Sequence, residues 1–260
     1  METFIEFRDV SFFSEDYEVL KKISVKIPGN RCTVIIGPSG CGKSTFLKVA
    51  AGIYPPDTGK VLVEEKDLSN FSYRKIREFR KNSGFVFEDS ALWANNTIFQ
   101  NLALPLEFHF SGLSKAAIKE KVYRILEKTG FVDEANLRPD NFSTSERKVI
   151  AFFRGIITDP VNLFMDEPVQ SVDYEMAKII IDMLKLMKAA NATLIMATNN
   201  AELTSRLADY LIILKNGAVV ESGEFDVVKN SRNQDTLLIL SEILGKGASF
   251  DTDILNLLNE

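Results

Sequence analysis

The chain has little of what several common chemistries require. It holds one histidine, His109, in 260 residues, so a metal site built from several imidazoles is excluded. Its two cysteines, Cys32 and Cys41, have no metal-ligand spacing and provide no disulfide framework. No apolar run approaches the roughly 18 residues that read as a membrane span; the longest, such as 211–214, are strand-sized. Positive charge is not in excess: 31 Lys and Arg against 36 Asp and Glu leave a net charge of −5 and a pI near 5.2. A general nucleic-acid binder needs a basic surface, so no nucleic-acid partner is expected. The opening stretch METFIEFRDV lacks the basic-then-apolar layout of a secretory signal. These absences set the expectation of a cytosolic chain, soluble on its own.

What is present can build a core. Hydrophobic residues make up 45% of the chain, which sets disorder aside. The length admits one large domain, or one with a subdomain. Thr3 to Phe12 and Glu18 to Ile27 alternate as two antiparallel strands joined by a turn. Arg31 to Ile36 is a short apolar run that breaks at Gly37, as a buried strand would, and a helix follows from Lys43. Gly59 to Val63 and Gly84 to Phe87 predict further strands. From about Asp89 to Ile157 the pattern is helical; Lys115 to Thr129 places Ile118, Val122, Ile125 and Leu126 on one stripe. Strand patterns return at Val161 to Met165, Thr193 to Ala197 and Tyr210 to Leu214, with a helix at Tyr174 to Lys188. The alternation predicts an α/β fold: a mostly parallel sheet, an antiparallel N-terminal β subdomain and an inserted helical subdomain.

Two motifs carry chemistry. GPSGCGKST, which is Gly37, Pro38, Ser39, Gly40, Cys41, Gly42, Lys43, Ser44 and Thr45, fits G-x-x-x-x-G-K-[ST] between a predicted strand and a predicted helix. Its glycines let backbone N–H groups turn toward phosphates, the new helix adds its positive end, and Lys43 reaches the β- and γ-phosphates. Ser44 can place its hydroxyl on Mg²⁺. The second motif is VNLFMDEP, Val161 to Pro168. A buried strand ends at Asp166, suited to holding Mg²⁺ through water, and Glu167, suited to polarising an attacking water. The alternative is that these carboxylates merely open a helix, where acidic residues are favoured.

On these motifs the chain resembles the ATP-binding-cassette (ABC) ATPases over roughly Glu2 to Ser231. The resemblance implies a P-loop NTPase core over 1–225, with the helical subdomain at about 89–157 and a C-terminal helical extension at 226–260. It also implies ATP and Mg²⁺ as ligands. The implied partners are a second ATPase subunit, identical or different, an integral membrane permease and a small regulatory subunit. The location would be peripheral, on the inner face of the cytoplasmic membrane. VFEDSALWANNTIFQNLALPLEFH, Val86 to His109, resembles the ATPases of Mla/Mce-type phospholipid transporters; Pro105, Leu106 and His109 fit their spacing.

Several positions depart from the family pattern. Phe142 to Glu146, FSTSE, stands where the glycine-rich signature would be, and only Ser143 is retained as a contact to the partner's nucleotide. Thr144 and Ser145 add bulk where backbone must approach a ligand. The same residues spell a capping box, Ser143 with Glu146, which would start a helix without touching nucleotide. Asn199 stands where the family has a histidine on the γ-phosphate. It can donate an amide hydrogen bond there, or simply cap a helix at Ala201 to Leu207. Glu88 takes the place of the Q-loop glutamine and is a candidate Mg²⁺ ligand. Ser14 falls at the adenine-stacking position, with Phe13 and Tyr17 beside it; Phe13 is the candidate. Asp173 and Arg154 match the family. Two readings of the function follow: a transport motor for phospholipid or another cargo, and a regulatory subunit that closes on ATP but hydrolyses it poorly. In the tail, 237–240 with Ile243 and Leu244 is apolar at helical spacing, and Ile254, Leu255, Leu257 and Leu258 repeat the theme. That face either folds on its own domain or reaches a partner.

Overall fold

The computed structural model of the protein describes residues 2–257, and the side chains of residues 2–245. The chain divides into two compact units, residues 1–72 with 193–260 and residues 73–192.

In the first unit, β1 (Thr3–Ser14) and β2 (Tyr17–Pro28) form the antiparallel hairpin that their alternation predicts. Ile5, Phe7 and Val10 of β1 and Leu20, Ile23 and Ile27 of β2 are buried on its inner side. β3 (Cys32–Ile36) is buried at every residue, and α1 (Lys43–Ala50) follows it after the glycine-rich loop. The Phe46 ring of α1 stacks on Phe7 with centroids 4.5 Å apart. β4 (Thr58–Val63) pairs antiparallel with β1, and the two-residue β5 (Lys66–Asp67) completes a four-stranded sheet in the order β2-β1-β4-β5.

The second unit holds α2 (Tyr73–Lys81), β6 (Ser83–Val86), α3 (Ile98–His109), α4 (Lys115–Thr129), α5 (Thr144–Ile156), β7 (Asn162–Asp166) and α6 (Tyr174–Ala189). β6 and β7 pair in parallel. The helix starts are chemically explicit: Thr97 and Gln100 form a capping box on α3, Ser114 caps α4, and Asp173 caps α6. Gly130, at φ 78°, ends α4 in the left-handed conformation. Ile118, Val122 and Leu126 bury the predicted stripe of α4, while Ile125 is half-buried. α2 is absent from the sequence expectation because charge dominates YRKIREFRK: only Ile76 and Phe79 are half-buried, and no residue is fully buried.

The chain then returns to the first unit with β8 (Thr193–Ala197), α7 (Ala201–Leu207), β9 (Tyr210–Lys215), β10 (Ala218–Glu224), α8 (Phe225–Lys229) and α9 (Gln234–Leu257). β3 lies between β8 and β9, parallel to both, and β10 folds back antiparallel on β9. This is a mixed sheet in which β3 and β8 are buried at every residue and β9 at all but its two end residues, as parallel strands covered on both faces are. β10 is half-buried throughout and has no alternation to read, but the Asn216-Gly217 turn before it, with φ 50° and 80°, is a hairpin signal. α9 buries Thr236, Ile239, Leu240 and Ile243 and packs on α7, so this part of the tail folds on its own unit. The side chains of Ile254, Leu255, Leu257 and Leu258 lie outside the described residues.

Candidate nucleotide site

The loop between β3 and α1 is shaped by backbone that only glycine tolerates at close quarters. A Cβ on Gly37 would stand 2.0 Å from the Leu214 carbonyl oxygen at the end of β9. Gly40 and Gly42 have φ of 76° and 105°, a region costly for residues with a Cβ. Gly42 is the N-cap of α1, makes no side-chain capping bond, and no acidic residue stands in the first turn. The helix N-terminus is thus left without an internal anion. Lys43 folds over the loop: its Nζ donates to the Gly37 carbonyl at 2.8 Å and the Pro38 carbonyl at 3.3 Å. Pro38, Ser39 and Gly40 are exposed, Ser44 and Thr45 half-buried, and Cys41 buried, with burial pushing its thiol pKa up. A rim of backbone donors, a positive helix end and a lysine held only by carbonyls fits a polyphosphate.

Asn199 follows β8 and faces this loop. Its Nδ2 donates to the Gly37 carbonyl at 2.8 Å, and its Oδ1 accepts from the Gly37 N–H at 3.2 Å. Asn199 does not cap α7; that role belongs to Asn200, whose Oδ1 accepts from the Leu203 N–H at 2.8 Å. The capping alternative for Asn199 was therefore one residue off, because two adjacent asparagines offer the same side chain and only the backbone decides which sits at the N-cap. On the hairpin of the same unit, Phe13 is exposed at 41% and its N–H donates to Asp57 at 2.7 Å. Tyr17 is more exposed, at 63%. An accessible aromatic face is what base stacking needs.

In the second unit, Asp166 ends β7 and is 3% exposed, and Glu167 follows with φ 44°. The two carboxylates do not open a helix: a turn follows, and α6 begins only at Tyr174. Lys148, from the second turn of α5, is 5% exposed and donates from Nζ to the Glu167 carbonyl at 2.6 Å. Burial pushes its pKa down, and the carboxylates of Glu88, Glu167, Asp166 and Asp89 oppose that shift. Glu88 and Asp89 are exposed in the segment after β6. That segment turns through Ser90 and Ala91, both at positive φ, and Arg154 holds it by donating to the Ser90 carbonyl at 3.1 Å and the Ala91 carbonyl at 2.7 Å. Buried Asn101 fixes the next turn, donating to the carbonyls of Trp93, Asn96 and Thr97 while accepting from the Trp93 N–H. Neither Lys148 nor Asn101 emerged from the sequence. The available signal for Lys148 was a lysine leading directly into the apolar run VIAFF of an amphipathic helix.

The residues at the signature position form the capping box. Ser143 Oγ accepts from the Glu146 N–H at 3.3 Å, and Glu146 Oε2 accepts from the Ser143 N–H at 2.7 Å. Ser145 Oγ accepts from the Asp173 N–H at 3.1 Å, tying the start of α5 to the start of α6. The Met176 N–H and the Ser145 hydroxyl hold the Asp173 carboxyl below its ordinary value.

Ser44, Asp166 and Glu88 offer the oxygen donors a hard divalent cation takes. Among the described residues no group of three or more His, Cys, Asp or Glu side chains is gathered as a metal site. Asp166 and Glu88 belong to the second unit and Ser44 to the first, and Mg²⁺ in nucleotide sites takes further oxygens from phosphate and water. No helix among the described residues is long and apolar enough to cross a membrane.

This fold, with a glycine-rich phosphate loop between β3 and α1, is that of an ATP-binding-cassette NTPase. The family profile described as "ABC transporter" matches residues 20–170, and the chain belongs to that family as an ATP-binding ATPase subunit. The Methionine import ATP-binding protein MetN of Clostridioides difficile (strain 630) is 31% identical over 260 residues, covering 97% of this chain and 80% of that protein. The protein of the same name from Rhodopseudomonas palustris (strain BisA53) is 30% identical over 237 residues, covering 90% of this chain and 63% of that protein. The chain thus spans less than two thirds of that second relative. Among solved structures, a dimeric bacterial ABC transporter cassette superposes with a TM-score of 0.77 at 24% identity, covering 85% of this chain and 98% of that one. An ATP-binding cassette in a dimeric post-hydrolysis state bound to ADP and Pi gives 0.77 at 23% identity with the same coverage. At those identities the likeness establishes the fold.

Proposed function

We propose that the protein hydrolyses MgATP to drive the import of an amino acid through an integral membrane permease. The observation that carries the ATPase part is the loop Gly37 to Thr45, whose glycine-only backbone and Lys43 present donors to a polyphosphate. Its residues Gly37, Pro38, Ser39, Gly40, Cys41, Gly42, Lys43, Ser44 and Thr45 wrap the phosphates, and Phe13 stacks on the adenine. Lys43 exchanges its two carbonyl partners for phosphate oxygens. Ser44, Asp166 and Glu88 hold Mg²⁺, which when bound neutralises phosphate charge. Glu167 polarises the attacking water. Asn199, already bound to Gly37, sets the loop edge beside the γ-phosphate and donates an amide hydrogen where no proton transfer is available. Ser143 meets the nucleotide of a second ATPase subunit, identical or different. Residues 1–225 form the ATPase domain and 226–260 its extension, placed on the inner face of the cytoplasmic membrane.

The cargo class rests on the relatives, which are named for methionine import and match most of this chain. Phospholipid cargo is the second reading, and the stretch Val86 to His109 favours it; its Trp93 is 62% exposed and held in place by Asn101. With Ser143 and Glu146 occupied in a capping box, turnover is expected to be slow, and a small regulatory subunit is a further partner to seek.

The test is steady-state ATP turnover of the chain in complex with its permease, beside Glu167→Gln and Asn199→His. Turnover that Glu167→Gln abolishes, with ATP binding kept, supports a working motor. Turnover no greater than that of Glu167→Gln sinks it. Transport assays in vesicles with labelled methionine and labelled phospholipid then decide the cargo.

A further inference from the structure

We propose that Lys148 is a positioning residue of the hydrolytic site: its ammonium fixes the backbone of Glu167 and sets the charge felt by a divalent cation at Asp166 and Glu88. The inference rests on the ATPase reading above.

Lysine is among the residues least often buried, because an ammonium removed from water without partners is costly. Lys148 is 5% exposed. Its Nζ is 2.6 Å from the Glu167 carbonyl oxygen, and the carboxylates of Glu88, Glu167, Asp166 and Asp89 all act on it electrostatically. These partners come from two segments outside its own helix, the end of β7 and the stretch after β6. A surface lysine on a solvated helix face has no such arrangement.

The carbonyl it holds belongs to a strained residue. Glu167 has φ 44°, in the left-handed region that a residue with a Cβ leaves when nothing restrains it. It also precedes Pro168, and a following proline disfavours helical backbone geometry. Rotation of this backbone re-aims the Glu167 side chain together with its carbonyl. The bond from Lys148 is therefore a restraint on where the water-polarising carboxylate points. Lys148 also carries a full charge in a poorly hydrated place, where Coulomb interactions are stronger than at the surface. It repels a divalent cation and balances the carboxylates that attract one.

Charge and geometry can be separated by substitution. Lys148→Arg keeps the charge, Lys148→Gln keeps a donor of similar reach without charge, and Lys148→Met keeps only the apolar stem. The full chain is titrated with MgCl₂ at fixed ATP, with ATP binding followed by calorimetry, and kcat and KM for ATP are measured in parallel. Expected is a several-fold lower Mg²⁺ half-saturation in Gln and Met, with Arg near wild type. KM for ATP stays within about twofold, while kcat falls at least tenfold in Met and less in Gln. Mg²⁺ half-saturation and kcat unchanged in Gln and Met overturn the proposal. So does folding of Arg alone, established by urea unfolding, because Lys148 would then serve stability only. Where Met does not fold, Gln decides. Wild-type chain showing no Mg²⁺-dependent ATP binding defeats the ATPase reading itself, whereas wild-type binding with unshifted variants defeats only the role of Lys148.

Discussion

Asn199 and Gly37 exchange two hydrogen bonds, Nδ2 to the Gly37 carbonyl at 2.8 Å and the Gly37 N–H to Oδ1 at 3.2 Å. A side-chain amide here serves both polar groups of the residue that opens the phosphate loop, as a neighbouring strand would. A neutral imidazole has one donor and one acceptor on different ring edges and cannot repeat that pairing with the N–H and C=O of one residue. Asn199 therefore has a defined task in the loop before any nucleotide arrives.

Loss of that pair is expected to loosen the loop. Each bond contributes about 1 kcal/mol net, so Asn199→Ala should weaken ATP binding by roughly fivefold to thirtyfold. Calorimetric titration with ATP in EDTA checks this without Mg²⁺ in play. Affinity within twofold of wild type would show that the loop holds its shape without Asn199.

Gly84 is expected to be intolerant of any side chain. A Cβ there would lie 2.2 Å from the Gly155 carbonyl oxygen and 2.9 Å from Leu163 Cδ1, where β6 and α5 approach each other. Backbone at that distance cannot yield, so Gly84→Ala should cost more than about 2 kcal/mol, at the upper end of overpacking penalties. Urea unfolding of the variant would show the shift in midpoint at unchanged slope.

The capping box at the start of α5 is expected to be a stability element. Ser143→Ala removes the acceptor for the Glu146 N–H and should cost about 1 kcal/mol. Ser145→Gly loses the bond to the Asp173 N–H but restores a small residue near the helix start, so it should destabilise while leaving turnover equal or higher. Unfolding midpoints and ATPase rates for both variants test the two effects separately.

His109 provides a pH test with a single titrating imidazole. Burial, then the positive charges of Arg77, Lys81 and Arg80, hold its pKa below the ordinary 6.5. The folded chain thus binds fewer protons than the unfolded chain as pH falls through 6.5 toward the depressed value. The contribution is full above 6.5 and is lost in that window. Comparing unfolding midpoints between about pH 7.5 and about pH 5.5, near the ordinary histidine value, wild type should lose more stability than His109→Asn. Parallel losses in the two chains would contradict the assignment.

Much of the fold was legible because local pattern and packing agree. The hairpin of β1 and β2, the buried runs of β3, β8 and β9, and the stripe of α4 each state their burial in their order of apolar residues. Where an element buries little, that signal disappears: α2 and β5 have no fully buried residue, and β10 is half-buried along its whole length. The turn chemistry of Asn216-Gly217 is the one signal before the last hairpin, and strand patterning alone passes over it.

The sequence by itself determined the phosphate loop, because GPSGCGKST fixes backbone freedom, helix start and lysine within nine consecutive residues. It also determined the capping box at Ser143, whose partners lie three residues apart. What tertiary structure decided are the contacts between residues distant in the chain. Asn199 meets Gly37 across 162 positions, Arg154 meets Ser90 across 64, and Lys148 is drawn to the end of β7 across 19. Such pairings leave no period in the sequence. They depend on which strands and helices pack together, and a buried amide or ammonium declares its partner only once that packing has removed the water that would otherwise serve it.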